Sequence, residues 1–168
     1  DEVIIPAPYW LSYPQMVRLA GGKPVFINSS AEDGFKINIK DLRSKISSKT
    51  KFIIINSPNN PTGKVMSKED LLQIAEIARE NQNINILSDE IYELILKKDL
   101  VHYSLATLAT DLKERIFIIN GFAKGWAMTG WRIGYLVGQK DVIKASSALQ
   151  SQSTSNVCSF VQKGALEA

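Results

Sequence analysis

Cysteine and histidine are almost missing: Cys158 and His102 are the only ones among 168 residues. A single cysteine forms no internal disulfide, so a reducing, cytoplasmic-type compartment is expected, with Cys158 a free, buried thiol. A lone histidine without companions at metal-ligand spacing points to a structural or surface role and to no metal centre. Charge of one sign is equally scarce. A net charge of +3 is the small difference between 20 basic and 17 acidic residues, which are spread along the chain. No basic stripe emerges that would suit nucleic acid. Long apolar runs are missing too, and the amino terminus carries no signal-peptide pattern, so no membrane association is expected. What is present, 45% hydrophobic and 22% charged residues, is ordinary globular composition on the scale of one domain. The chain starts on the strand-like Glu2-Val3-Ile4-Ile5 and stops on Gly164-Ala165-Leu166-Glu167-Ala168, inside a helical pattern. An excerpt of a longer protein is therefore expected.

Short apolar runs alternate with helical patterns along the chain. Val3 to Ile5 reads as a strand, and Tyr13 to Ala20 as a helix ended by Gly21-Gly22. Lys23 to Asn28 reads as a strand, and Asn38 to Ile46 as a helix with Asn38 as N-cap. Phe52-Ile53-Ile54-Ile55 is continuously apolar, as expected of a strand covered on both faces. Ser67 to Asn81 is the clearest helix. It opens on Ser67-x-x-Asp70, a capping-box pattern, and carries an apolar face from Leu71 to Ala78. Ile84 to Ser88 and Ile116 to Ile119 are further strands, and Leu94 to Ala109 is irregular with one short helix. Arg132 to Val137 reads as a strand, and Lys140 to Gln150 as a helix, with another starting near Asn156. The glycine-rich segment before Arg132 is a poor crossover helix, so this strand is expected to run antiparallel to the one before it. The pattern is α/β: a mostly parallel sheet with flanking helices in three layers, and one antiparallel strand.

Three candidate groups follow the carboxyl ends of separate strands, the edge where open parallel sheets bind ligands. Asn60 lies in Asn56-Ser57-Pro58-Asn59-Asn60-Pro61-Thr62-Gly63, where two flanking prolines and a glycine restrict the backbone. It is either a plain turn residue or a donor held steady. Asp89 either caps the turn Asp89-Glu90-Ile91-Tyr92 or carries a functional carboxylate. Lys124 belongs to the stretch Asn120 to Tyr135, where it and Arg132 stand among glycines, aromatics and small residues. Burial of either cation alone would cost several kcal/mol, so an anionic or electrophilic partner is expected. A desolvated lysine is a Schiff-base former, and an arginine fork suits a phosphate. Pyridoxal 5′-phosphate carries both an aldehyde and a phosphate.

The string N-G-F-A-K-G-W-A-M-T-G-W-R-I-G-Y resembles the cofactor-lysine signature of fold-type I pyridoxal-phosphate aminotransferases, in the branch with the aspartate aminotransferases. Many members have serine before the lysine, where this chain has Ala123. N-P-T-G after Asn59 and D-E-x-Y from Asp89 are similar to two further family segments. The resemblance implies that Lys124 binds the cofactor aldehyde and then serves as base. It further implies that Asp89 holds a proton on the pyridine nitrogen, and that Asn60 and Tyr92 reach the ring oxygen. By the same resemblance Arg132 would anchor the phosphate and Trp10 would stack on the ring, while Gly121, Gly125 and Gly130 would let the backbone approach or are equally plain turn glycines. Trp10 read without the family is equally a core tryptophan. The resemblance covers the whole chain and implies that residues 1–168 are the central part of the large cofactor-binding domain, the major domain of the aminotransferase fold. It implies a homodimer, and transamination between aspartate and a 2-oxo acid such as 2-oxoglutarate. A carbon-sulfur lyase, a cyclopropane-carboxylate synthase or the effector domain of a transcription regulator would share the same residues. An excerpt of this kind is expected to be inactive alone.

Overall fold

Isoleucine-rich runs bounded by turn residues become strands, since β-branched side chains favour extended backbone. The computed structural model describes residues 1–168. Its strands β1 (Glu2–Pro6), β2 (Lys23–Ile27), β3 (Thr50–Asn56), β4 (Asn85–Asp89), β5 (Ile116–Gly121) and β6 (Gly134–Val137) form one sheet in the order β2-β1-β3-β4-β5-β6. All neighbours are parallel except β5 and β6, which pair antiparallel with Gly121 opposite Gly134. A β-carbon on Gly121 would stand 2.8 Å from Gly134 Cα and 2.9 Å from the Ile133 carbonyl oxygen, so this crossing requires glycine. By contrast Gly130 faces open space, and crowding does not explain it.

Six helices connect and flank the strands: α1 (Ser12–Leu19), α2 (Ile39–Lys45), α3 (Lys68–Glu80), α4 (Leu105–Leu108), α5 (Lys140–Ser151) and α6 (Ser159–Glu167). The start signals work as their chemistry dictates. Asn38 accepts from the Asp41 amide at the head of α2, and Ser67 and Asp70 form a reciprocal capping box on α3. Gly21, with φ of 75°, ends α1 in the left-handed region. Most boundaries fall within a residue or two of the sequence reading, and the larger departures lie in the second half of the chain. Thr110–Arg115 winds into a 3-10 helix ahead of β5, and α6 begins at Ser159. Arg132 precedes β6 with φ of 53°, outside the strand expected to begin there.

Alternation along the strands divides the core in two. Ile4, Ile53, Ile55 and Ile86 point to one face, where they pack with Leu42 of α2 and with Leu71, Ile74 and Ile77 of α3. Ile5 and Ile54 point to the other, against Tyr13 and Val17 of α1. That second face is only partly covered: Val3, Met16, Phe52, Leu87, Phe117 and Leu136 line an open apolar groove of about 390 Å³ beside α1. No helix is long and apolar enough to cross a membrane. Cys158 corrects an expectation. It is exposed, because it sits just before α6, a helix that buries only Val161.

Candidate active site

The carboxyl ends of β3, β4 and β5 lie side by side, and hydrogen bonds between the segments that leave them fix their relative positions. Ser57 donates its amide to the Asp89 carbonyl at 3.2 Å, and Glu90 donates its own to the Ile119 carbonyl at 2.9 Å. Asn56, the last residue of β3, ties two segments with one side chain. Its Nδ2 donates to the Asp89 carbonyl at 2.9 Å, while its Oδ1 accepts from the Asn60 amide at 2.7 Å. Asn59 secures the far side of the same turn by accepting from the Thr62 amide and hydroxyl. A buried amide with donor and acceptor both engaged holds one rotamer. In this way Asn60 is brought to the Tyr92 hydroxyl, 3.5 Å from its Nδ2.

These ends border an open cavity of about 490 Å³. All six residues singled out in the sequence line it: Trp10, Asn60, Asp89, Tyr92, Lys124 and Arg132. Lys124 Nζ stands 5.8 Å from the centre of the Tyr92 ring, within cation–π range. Trp10 meets Tyr13 edge to face, with centroids 5.4 Å apart and planes at 88°. Arg132 donates from Nη1 to the Thr129 carbonyl at 2.8 Å, and the Thr129 hydroxyl donates to the Ala123 carbonyl at 2.9 Å. These two contacts link Arg132 through Thr129 to Ala123, the residue before Lys124.

The electrostatics of the site separate its two sides. Asp89 is buried and has no cation within 4.0 Å; its Oδ2 accepts from the Tyr13 hydroxyl at 2.5 Å, and its Oδ1 from the Ile91 amide at 3.2 Å. Burial holds its carboxyl above the usual range, opposed by those two hydrogen bonds, which favour the ionised form. Lys124 and Arg132 are exposed and make no ion pair. This corrects the sequence reading, which expected desolvated cations. Water reaches both, because Asn120 to Tyr135 borders the open side of the cavity.

Sequence reasoning missed three residues here. Tyr13 and Asn56 act across 76 and 33 residues of sequence, and no local pattern signals such pairs. Asn120 donates to Glu93 Oε1 at 2.7 Å and accepts from the Gly121 amide, fixing the turn before Lys124. His102 is structural, with Nε2 at 3.2 Å from Glu90 Oε2. The fold also gives it acidic neighbours that spacing did not reveal, since ligand atoms of Glu90, Glu93 and His102 lie within 4.8 Å of one another. Ser88 and Ser104 donate to Glu90 Oε1, and Asn120 to Glu93, so the chain's own donors already engage these acids.

Comparison with known proteins agrees with this architecture. A family model described as aminotransferase class I and II matches residues 1–168, and the chain belongs to that family. A Rickettsia conorii protein named "Probable aspartate/prephenate aminotransferase" is 54% identical over 168 residues, which are 100% of this chain and 42% of that protein. Among solved structures, an aspartate aminotransferase from Thermus thermophilus with maleate superposes with a TM-score of 0.90 at 46% identity. That match covers 96% of this chain and 41% of its own. An aromatic aminotransferase from Pyrococcus horikoshii gives a TM-score of 0.95 at 40% identity, covering 99% of this chain and 44% of its own. The 168 residues thus span less than half the length of these relatives.

Proposed function

We propose that the protein of which these residues form the central part of the large domain is a pyridoxal-phosphate-dependent aminotransferase. It would exchange an amino group between aspartate and a 2-oxo acid such as 2-oxoglutarate. The observation that carries this reading is the meeting of an amide, an acid and an amine, Asn60, Asp89 and Lys124, at one cavity on the carboxyl edge of the sheet. The donor set fits the cofactor. The cavity has the size of a small-molecule site, with a buried acid on one wall and two exposed cations without carboxylate partners on another.

When bound, pyridoxal phosphate supplies an aldehyde that takes up amino groups and a ring that accepts electrons from the substrate α-carbon. The chain's own residues do the rest. Lys124 would present the amine that holds the cofactor and, when free, would carry a proton to and from the α-carbon. Asp89 would keep a proton on the pyridine nitrogen through a charge-assisted hydrogen bond worth about 1.5 to 3 kcal/mol. Asn60 and Tyr92 would donate to the ring oxygen and stabilise its negative charge. Arg132 would pair with the phosphate, and Trp10 would orient the ring by packing against it. The open mouth of the cavity, where both cations meet water, suits completion by a second copy of the chain, and a cytoplasmic homodimer is part of this reading.

Two relatives named for aspartate support the substrate, and maleate is a four-carbon dicarboxylate of the same class as aspartate. The aromatic aminotransferase is the observation that favours a second reading, with an aromatic amino acid as donor. The test is borohydride reduction of the cofactor-loaded, full-length protein, followed by peptide mapping. The pyridoxyl group is expected on the peptide containing Lys124, and Lys124→Ala is expected to abolish transamination. A label on Lys140 or Lys144, or near-normal turnover by the variant, would refute the assignment. Consumption of 2-oxoglutarate with aspartate, compared with phenylalanine, decides between the two donors. Loss of aspartate without an accepting 2-oxo acid would instead indicate a lyase.

A further inference from the structure

Asp89 is buried on the cavity wall without a counter-ion, yet both of its oxygens accept a hydrogen bond. One donor is the Ile91 amide in its own turn, which any residue but proline would supply. The other is the hydroxyl of Tyr13, which reaches across from α1 to Oδ2 at 2.5 Å. We infer that Tyr13 is a positioning residue that keeps the Asp89 carboxylate ionised and aimed into the cavity, and so keeps the cofactor's ring-nitrogen proton on the ring. The inference rests on the proposed pyridoxal phosphate reading and goes one residue beyond it.

The geometry suits that role in three ways. Tyr13 is buried, and its ring packs with Val17, Ile5 and Ile54, so the hydroxyl is carried by a rigid body. Burial, then the adjacent carboxylate, pushes the ionisation of the Tyr13 hydroxyl far above its ordinary range, so it remains a donor at every working pH. A donor on a carboxylate favours the charged form, which opposes the burial that would otherwise protonate Asp89. The same ring also holds Trp10 edge to face, so one side chain orients two walls of the cavity. The other titratable groups around Asp89 are Glu90 and Tyr92 on its own segment and Lys124 and Arg132 along the cavity. None of them donates to its carboxylate oxygens.

Removing only the hydroxyl separates these roles, because Tyr13→Phe leaves the packing with Val17 and Trp10 in place. In full-length, cofactor-loaded protein, the bound cofactor's absorbance is followed against pH. With Tyr13→Phe the carboxylate competes more strongly for the ring-nitrogen proton, and the ring then withdraws less charge from the lysine-linked nitrogen. The midpoint of the absorbance change is expected to rise by about half a pH unit or more. In an Asp89→Asn background the same substitution is expected to add no shift. Replacing Tyr13 by 3-fluorotyrosine, a more acidic phenol of nearly the same shape, is expected to lower the midpoint. This second variant keeps the inference open to refutation if Tyr13→Phe folds poorly. Unchanged midpoints, or a Tyr13→Phe shift that persists without the Asp89 carboxylate, would overturn the role of Tyr13 alone. A wild-type protein that shows no lysine-linked cofactor absorbance would overturn the pyridoxal phosphate reading itself.

Discussion

Replacing Asn56 by alanine should loosen the turn that carries Asn60 while leaving the strand behind it intact. The Asn56 side chain makes two hydrogen bonds, to the Asp89 carbonyl at 2.9 Å and from the Asn60 amide at 2.7 Å. The Asp89 carbonyl would keep a second donor, the Ser57 amide at 3.2 Å, so it is not orphaned. The Asn60 amide would lose its acceptor, but Asn60 is only half-buried and water can replace part of the bond. At about 1 kcal/mol for each net hydrogen bond, the loss is about 2 kcal/mol. With roughly 1.4 kcal/mol for each factor of ten, local opening should become about 30-fold more frequent. The assay is amide hydrogen exchange of the full-length protein, which reports local opening without a two-state assumption. Exchange at Asn60 and Thr62 is expected to accelerate by that factor, while Ile53 to Ile55 in β3 stay protected. Asn56→Asp keeps the acceptor and should preserve most of the Asn60 protection. Unchanged exchange at Asn60 in the alanine variant would refute the reasoning.

Two further perturbations follow from the site and its floor. Gly121→Ala forces a β-carbon against the backbone of Gly134 and Ile133, where no side chain can give way, and should cost about 1 to 3 kcal/mol. A lowered thermal midpoint checks this, and an unchanged one refutes it. Asp89→Asn should flatten the pH dependence of stability in the cofactor-free protein. Burial raises the native-state carboxyl pKa, so between its ordinary and raised values the native state binds more protons than the unfolded one. Stability then falls as pH rises through that window and stays lower above it. Thermal midpoints measured across the acidic range should fall more steeply for wild type than for the asparagine variant, and equal slopes refute this account.

How much of this was legible in the sequence depended on the range of the interaction. The caps of α2 and α3 were readable because Asn38 and Ser67 act on amides three residues away. The strands were readable because an isoleucine run between turn residues has few other places to go. The antiparallel pairing of β5 and β6 followed from the shortness and glycine content of the segment between them. Asn60, Asp89 and Lys124 were readable because parallel strands gather their carboxyl ends, whereas Trp10 and Tyr92 came with the family resemblance and Arg132 as the second cation of a glycine-rich stretch. Long-range pairs such as Tyr13 with Asp89 were invisible, since tyrosine on the apolar face of a helix reads as core. Exposure was misread where it depends on what covers a surface. Lys124, Arg132 and Cys158 stand among small or apolar neighbours in sequence, yet in the fold they face water.

The antiparallel strand is what closes the constellation. Asn60 and Lys124 follow β3 and β5, and Asp89 is the last residue of β4, so parallel alignment alone delivers them to one edge. Arg132 comes before its strand, and in a parallel arrangement it would lie at the opposite edge. At about 3.3 Å per residue, even a short strand would then separate it from the other three by more than 10 Å. Because β6 runs back along β5, its beginning stands beside the end of β5, with Gly134 opposite Gly121. That crossing admits no β-carbon on Gly121, which couples the glycine pair of β5 and β6 to the placement of the arginine. Any change that widens the β5–β6 contact should therefore move Arg132 away from Lys124 while leaving Asn60 and Asp89 where they are.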